Sequence, residues 1–221
     1  MSRKSGIQKL IIIGGGELAR VVIEATQAEA FEGADVFGWD ILGFVDPLPC
    51  EETTRRLGVK RLGDDSVLRS LTDEKLVLGV GTIKISPVRE HIVAKINQPT
   101  RWATIIHPFT SISPTAHIAP GVVVLPGVVI CSGARISEHA ILNLGAKIDH
   151  DVHVGKFVHV APQAALGGGS RVEDNSYIGM GAIIRDHVTV SADTLVGMGA
   201  VVSKQFPAGS TLVGIPAKPR D

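Results

Sequence analysis

From Ile106 to Val202 an isoleucine, leucine or valine stands at every sixth position, 17 times without a miss: Ile106, Ile112, Ile118, Val124, Ile130, Ile136, Leu142, Ile148, Val154, Val160, Leu166, Val172, Ile178, Ile184, Val190, Val196 and Val202. If about a third of positions held these residues by chance, such a run would have odds on the order of one in a hundred million, so it is a repeat. Four residues after each aliphatic position comes a second ladder of Ala, Val, Ser or Thr, running from Thr110 to Ala200. The position before each of these small residues is rich in glycine: Gly121, Gly127, Gly133, Gly145, Gly169, Gly181 and Gly199, with Asp151 and Asp193 among the rest. Such residues accept positive φ or bond their own backbone in a turn. Short extended segments that turn once per hexad, with one large and one small side chain inward, predict a parallel β-helix. With three hexads to a triangular coil, residues three hexads apart lie above one another, and coils about 4.8 Å apart build a prism roughly 25 Å tall.

The first hundred residues follow a different pattern. The apolar run Leu10 to Ile13, the turn GGGELA and an amphipathic stretch through Glu17 to Ala30 predict strand, tight turn and helix. A second run, Ile41 to Val45, ends in Asp46-Pro47, and a third, Leu76 to Val80, ends in Gly81. Between them lie a turn at Gly63 to Asp65 and a short helix near Ser66 to Leu71; a further helix is expected around Pro87 to Asn97. This βαβαβ order predicts a small parallel sheet of Rossmann-like type with crossover helices. The expected division is a domain over residues 1–103 and a β-helix domain with its tail over residues 104–221. Ligands of such sheets sit beyond the C-terminal strand ends, here Gly14 to Gly16, Asp46 and Gly81. Gly14, Gly16 and Ala19 satisfy G-x-G-x-x-A, but the acidic residue expected about 20 positions on is absent, since Asp46 comes later. A nucleotide-linked substrate therefore fits better than a dinucleotide cofactor.

Composition narrows the classes. Lys plus Arg and Asp plus Glu both number 22, for a formal net charge of zero, so no nucleic-acid or membrane-surface partner is expected. The four-residue run Leu10 to Ile13 is too short for a signal segment or a membrane span. Cys50 and Cys131 form no CxxC and read as reduced thiols of a cytoplasmic protein.

The candidate chemistry lies on the outside of the repeat. His139, His150, His153, His159 and His187 all fall at positions expected on its surface, and KIDHDVHVGKFVHVAP packs three of them beside Asp149 and Asp151. A carboxylate next to a histidine fixes its tautomer and raises its basicity, which suits a general base. Three hexads after His150 comes Gly168, so a bare backbone N–H is expected next to the imidazole, placed to hold a carbonyl and the oxyanion that develops from it. Pro162, Met180 and Met198 fall on one stripe, an apolar slot for a long cofactor arm. No Ser or Cys has the partners of a covalent nucleophile, so direct transfer in a ternary complex is expected.

A Rossmann-like half followed by uninterrupted hexads, DHD around His150, FVHVAP around His159 and the closing GIPAKP resembles the left-handed β-helix acetyltransferases that N-acetylate nucleotide-linked 4-amino sugars. The sialic acid O-acetyltransferases are close relatives of that family. The resemblance implies a homotrimer with active sites between subunits, acetyl-CoA in the groove between prisms and the sugar nucleotide on the N-terminal domain. It implies His150 as base with Asp151 as its carboxylate, His159 reaching the thioester end from the neighbouring subunit, and Gly168, Met180 and Met198 along the CoA slot. On the sugar-nucleotide side it implies Gly16, Glu17, Leu18, Asp46, Pro47, Gly81 and Asn143. Related sequences carry a Gly-His pair in the first loop where this chain has Glu17-Leu18, which leaves the base and the hexose open. Three other readings stay open at the level of sequence: O-acetylation of a free sugar acid, a zinc hydratase of carbonic anhydrase type with histidines meeting at an interface, and a non-enzymatic scaffold.

Overall fold

The computed structural model describes residues 7–28, 38–70, 73–81, 87–96 and 101–220. In its N-terminal part the chain runs β1 (Gln8–Ile13), α1 (Glu17–Gln27), β2 (Trp39–Val45), α2 (Glu51–Leu57), β3 (Arg61–Gly63), a 3₁₀ turn (Asp65–Ser70), β4 (Lys75–Leu78) and α3 (Val88–Ile96). The four strands form one parallel sheet in the order β3-β2-β1-β4. Two elements go beyond the expected three-strand order. Helix α2 buries only Thr53, and β3 is three residues long, so neither leaves a periodic apolar signal. The 3₁₀ turn starts at Asp65, and α1 stops at Gln27. Expected helix positions 29, 30, 71 and 97 lie outside the described residues.

Helix α1 forms because Ala19, Val22, Ile23 and Ala25 make one buried stripe at helical spacing. Its entry turn depends on small residues: Gly14 has φ +102, and a side chain on Gly79 would strike Ala19 Cβ at 2.8 Å.

The hexads build the prism as counted. Every coil pairs with the next in parallel at a fixed register, as in Arg135↔His153↔Arg171 and Ile141↔His159↔Tyr177. From Val124 to Val202 the aliphatic ladder is buried, and so is the small ladder from Val122 to Ala200. Ile106, in the first coil, is 42% exposed, since among the described residues no coil stacks above it. From Gly121 to Gly199 every corner position between the two ladders has positive φ, whatever its residue. Seven of these are not glycine: His139, Asp151, Phe157, Gln163, Asn175, His187 and Asp193.

The prism has three faces. One carries Val123, Ile141, His159, Tyr177 and Leu195 outward and receives the N-terminal sheet; we call it the docking face. Its Ile105, Val123, Leu125 and Ile141 pack in one cluster with Leu10, Ile12, Ala19, Val22 and Ile23 of β1 and α1. The second, apolar face carries Val129, Lys147, Ala165, Ile183 and Val201. The third carries His117, Arg135, His153, Arg171 and Thr189. After the last hexad the strand Thr211–Val213 adds to the docking face and turns back antiparallel into Lys218–Pro219. Among the described residues no helix is long and apolar enough to cross a membrane.

Candidate active site

A cleft of about 570 Å³ opens where the C-terminal edge of the sheet faces the prism, lined by Gly14, Gly16, Glu17, Leu18, Val21, Asp46, Gly79, Val80, Gly81, Asn143 and His159. The sheet side is made of backbone. Gly15 is held at both ends: its N–H donates to Asp46 Oδ2 at 2.8 Å and its carbonyl accepts from the Thr53 hydroxyl. A side chain on Gly15 would collide with Phe44 and Cys50. The other Asp46 oxygen accepts the Leu48 N–H at 2.8 Å, so this carboxylate shapes both loops that bound the cleft. Helix α1 has Gly16 at its N-cap with no side-chain cap, and Gly16, Glu17 and Leu18 at this end line the cleft. Pro47 departs from the expected grouping. It lines a separate hollow of about 330 Å³ with Asp64, Asp65, Ser66 and Lys95.

On the prism side Asn143 Nδ2 and His159 Nε2 are 3.2 Å apart. Tyr177, one coil on, packs edge-to-face on His159 with ring centroids 5.2 Å apart. The register that relates His150 to Gly168 also points from His159 to Tyr177. Gly14, expected at the ligand-facing strand end, lines the cleft too, and Val21, Gly79 and Val80 complete it without having been singled out.

His150 stands elsewhere, on the corner between the apolar and third faces. Its Nδ1 lies 3.0 Å from Asp151 Oδ2, and its backbone N–H donates to Asp149 Oδ1 at 2.7 Å. The bond to Asp151, helped by the charge of Asp149, raises the pKa of the imidazole above its ordinary value. With Nδ1–H given to Asp151, the basic nitrogen is Nε2, which lies over Gly168; a Cβ on that glycine would sit 2.4 Å from it. Coil-to-coil bonds use Gly169 N–H and the Gly168 carbonyl. Among the described residues the Gly168 N–H makes no hydrogen bond, so it is available as a donor beside the imidazole. Met180 and Met198 stand 57% and 83% exposed on the corner that also bears Asn143. His139 corrects an expectation: it is 5% exposed, caught between Trp102 and Phe157.

One chain thus assembles two partial sites. Gly16, Glu17, Leu18, Asp46, Gly81, Asn143 and His159 share the cleft, while His150, Asp151 and Gly168 share a different corner, with the apolar face between them.

Compared with solved structures, the chain superposes on PerB from Caulobacter crescentus, crystallised with CoA and GDP-perosamine, with a TM-score of 0.85 and 33% identity over 98% of this chain and 99% of that one. The chain belongs to the hexapeptide-repeat nucleotide-sugar N-acetyltransferase family. Another member, the acetyltransferase domain of PglB from Neisseria gonorrhoeae FA1090, matches with a TM-score of 0.81 and 31% identity over 96% of this chain and all of that domain. WeeI from Acinetobacter baumannii AYE, at 21% identity and a TM-score of 0.68, shares the fold. The family model described as the GMPPB C-terminal domain matches residues 100–204, the hexad region. No curated protein sequence matches the chain significantly. As in its family, the catalyst is an acetyltransferase.

Proposed function

We propose that this enzyme transfers the acetyl group of acetyl-CoA to the 4-amino group of a nucleotide-linked amino-deoxy sugar, such as GDP-perosamine or a UDP- or dTDP-linked 4-amino-4,6-dideoxyhexose. One observation carries the reading. A chain that aligns over 98% of its length with a protein crystallised with CoA and GDP-perosamine carries both a glycine-walled cleft at a sheet edge and a His–Asp pair over a bare amide.

The Rossmann-like domain, residues 1–103, holds the sugar nucleotide, with the open N-terminus of α1 toward its pyrophosphate. Residues 104–221 form the left-handed β-helix. Acetyl-CoA lies between prisms, against Met180 and Met198 of one copy and Gly168 of the next. As the amine nitrogen attacks the thioester carbonyl, His150 Nε2 takes its proton, and the Gly168 N–H steadies the oxyanion. The C–N bond then persists, the C–S bond breaks, and CoA leaves as the thiol by taking up the proton that His150 received, which returns the imidazole to its neutral form.

The enzyme is a homotrimer. His150 and the cleft flank the apolar face from opposite corners, so three such faces meeting about one axis bring the His150 corner of each copy to the cleft of its neighbour. His159 belongs to the cleft and meets the thioester from there.

A panel of GDP-, UDP- and dTDP-linked 4-amino sugars with acetyl-CoA, followed by thiol release, should reveal one preferred substrate, and His150→Ala should cut turnover at least about 10²-fold. Acceptance of a free sugar acid with refusal of every nucleotide sugar would overturn the N-acetylation reading.

A further inference from the structure

Arg89, in the first turn of α3, is buried where a guanidinium is costly. It is 4% exposed, and burial alone pushes its pKa down to about 10. Two backbone carbonyls hold it. Nη1 donates to the Phe157 carbonyl at 2.8 Å, and Nη2 donates to the carbonyl of His139. These are the corner carbonyls of successive coils, so a planar fork spans one coil step. The Phe157 ring lies 5.8 Å from the guanidinium carbon and stacks on His139 at 5.1 Å, while Trp102 meets His139 edge-on at 4.7 Å.

Both ring residues sit at positive φ, 60° for His139 and 57° for Phe157, a conformation costing an L-residue about 1–2 kcal/mol. Glycine serves at seven corners of the same ladder. At these two the chain keeps rings, and Gly121, one coil up, leaves the room that His139 Nδ1 needs. The local strain is thus spent on a joint between the sheet and the prism.

The joint has a definite place relative to the cleft. Helix α1 fastens the sheet to the docking face through an apolar cluster. Helix α3 is on the other side, where its Ile92, Val93 and Ile96, together with Phe157 of the prism, pack against Ile11, Ile13, Leu76, Leu78 and Trp102. Apolar packing leaves sliding possible, whereas two directional bonds fix register. The walls of the cleft, Gly14 to Leu18 and Gly79 to Gly81, belong to the sheet so fastened, and they face Asn143 and His159 of the prism.

We infer that Arg89 is a positioning residue for the sugar nucleotide: by clamping α3 to the His139–Phe157 corner it sets the spacing between the sheet loops and Asn143 and His159. This rests on the cleft being the nucleotide-sugar site; Arg89 itself is not among its lining residues. The test compares Arg89→Met, Arg89→Lys and His139→Gly using the preferred nucleotide sugar and acetyl-CoA. Arg89→Met should raise KM for the nucleotide sugar about tenfold or more and leave kcat and KM for acetyl-CoA within about twofold. Arg89→Lys, which keeps the charge but reaches one carbonyl at a time, should recover part of the loss. His139→Gly keeps the carbonyl and suits the positive φ, so it folds even if the Arg89 variants do not, and should shift the same KM by a smaller factor. In a Trp39→Phe background, Arg89→Met should also open Trp102 to acrylamide quenching. An unchanged nucleotide-sugar KM in folded variants, or a fall in kcat with both KM values unmoved, overturns the inference alone. Absence of nucleotide-sugar turnover in the unmodified enzyme overturns the reading of the cleft and the inference with it.

Discussion

Asp151 occupies a left-handed corner, φ 57, and from there its carboxylate reaches the Nδ1 of the residue before it. The bond orients the imidazole and leaves Nε2 over Gly168; it also makes His150 a stronger base, since its pKa is raised. A base must be neutral to work, so a raised pKa keeps His150 protonated to a higher pH, and the acidic limb of the rate profile lies at that raised value. Asp151→Asn retains an acceptor but removes the charge. The acidic limb of kcat/KM should move to lower pH and the plateau should fall roughly tenfold; a limb that stays in place would show that His150 is not the titrating base. At this scale the sequence was readable wherever the repeat acts as a ruler, as for His150 and Gly168. It was not readable for His139, whose hexad position promised exposure while its burial came from Trp102 and α3, distant in sequence. Nor does the spacing of Pro47 after β2 reveal that it lines the neighbouring hollow with Asp64, Ser66 and Lys95.

The corner is the element that repeats, and its conformational cost can be isolated. Gly181 has φ +65 and open space around any added Cβ, so Gly181→Ala introduces no clash. The substitution should therefore cost about 1–2 kcal/mol, the penalty for an L-residue at positive φ, read from urea unfolding; Gly181→Asn should cost less, because asparagine tolerates that region. An alanine variant as stable as the parent would mean the corner can relax. The hexads were legible because each coil copies the last and the period never slips. Helix α2 and strand β3 were not, because Arg61–Gly63 becomes a strand by pairing with β2, and EETTRRL turns helical with only one buried side chain. Neither event writes a period into the chain.

At the scale of the molecule, the apolar face separates the base from the cleft, and the proposed ring of three copies rejoins them. Co-expressing His150→Ala with a cleft-blocked Gly16→Trp variant tests this directly. Random mixing should restore about a quarter of the active sites, since each site draws its base from one copy and its cleft from the next; complete inactivity of the mixture would place both halves in one chain. A second property of the whole follows from its last strands. Coils of equal shape carry no internal instruction to stop, and an open rung invites the backbone of another molecule to continue it, the route by which sheets grow into fibres. Here the run along the docking face finishes antiparallel, on a lysine and a proline, one charged and the other without an N–H to offer. An incoming strand finds the wrong direction, a missing donor and a charge. The last rung of the docking face is thus a poor template for a further strand.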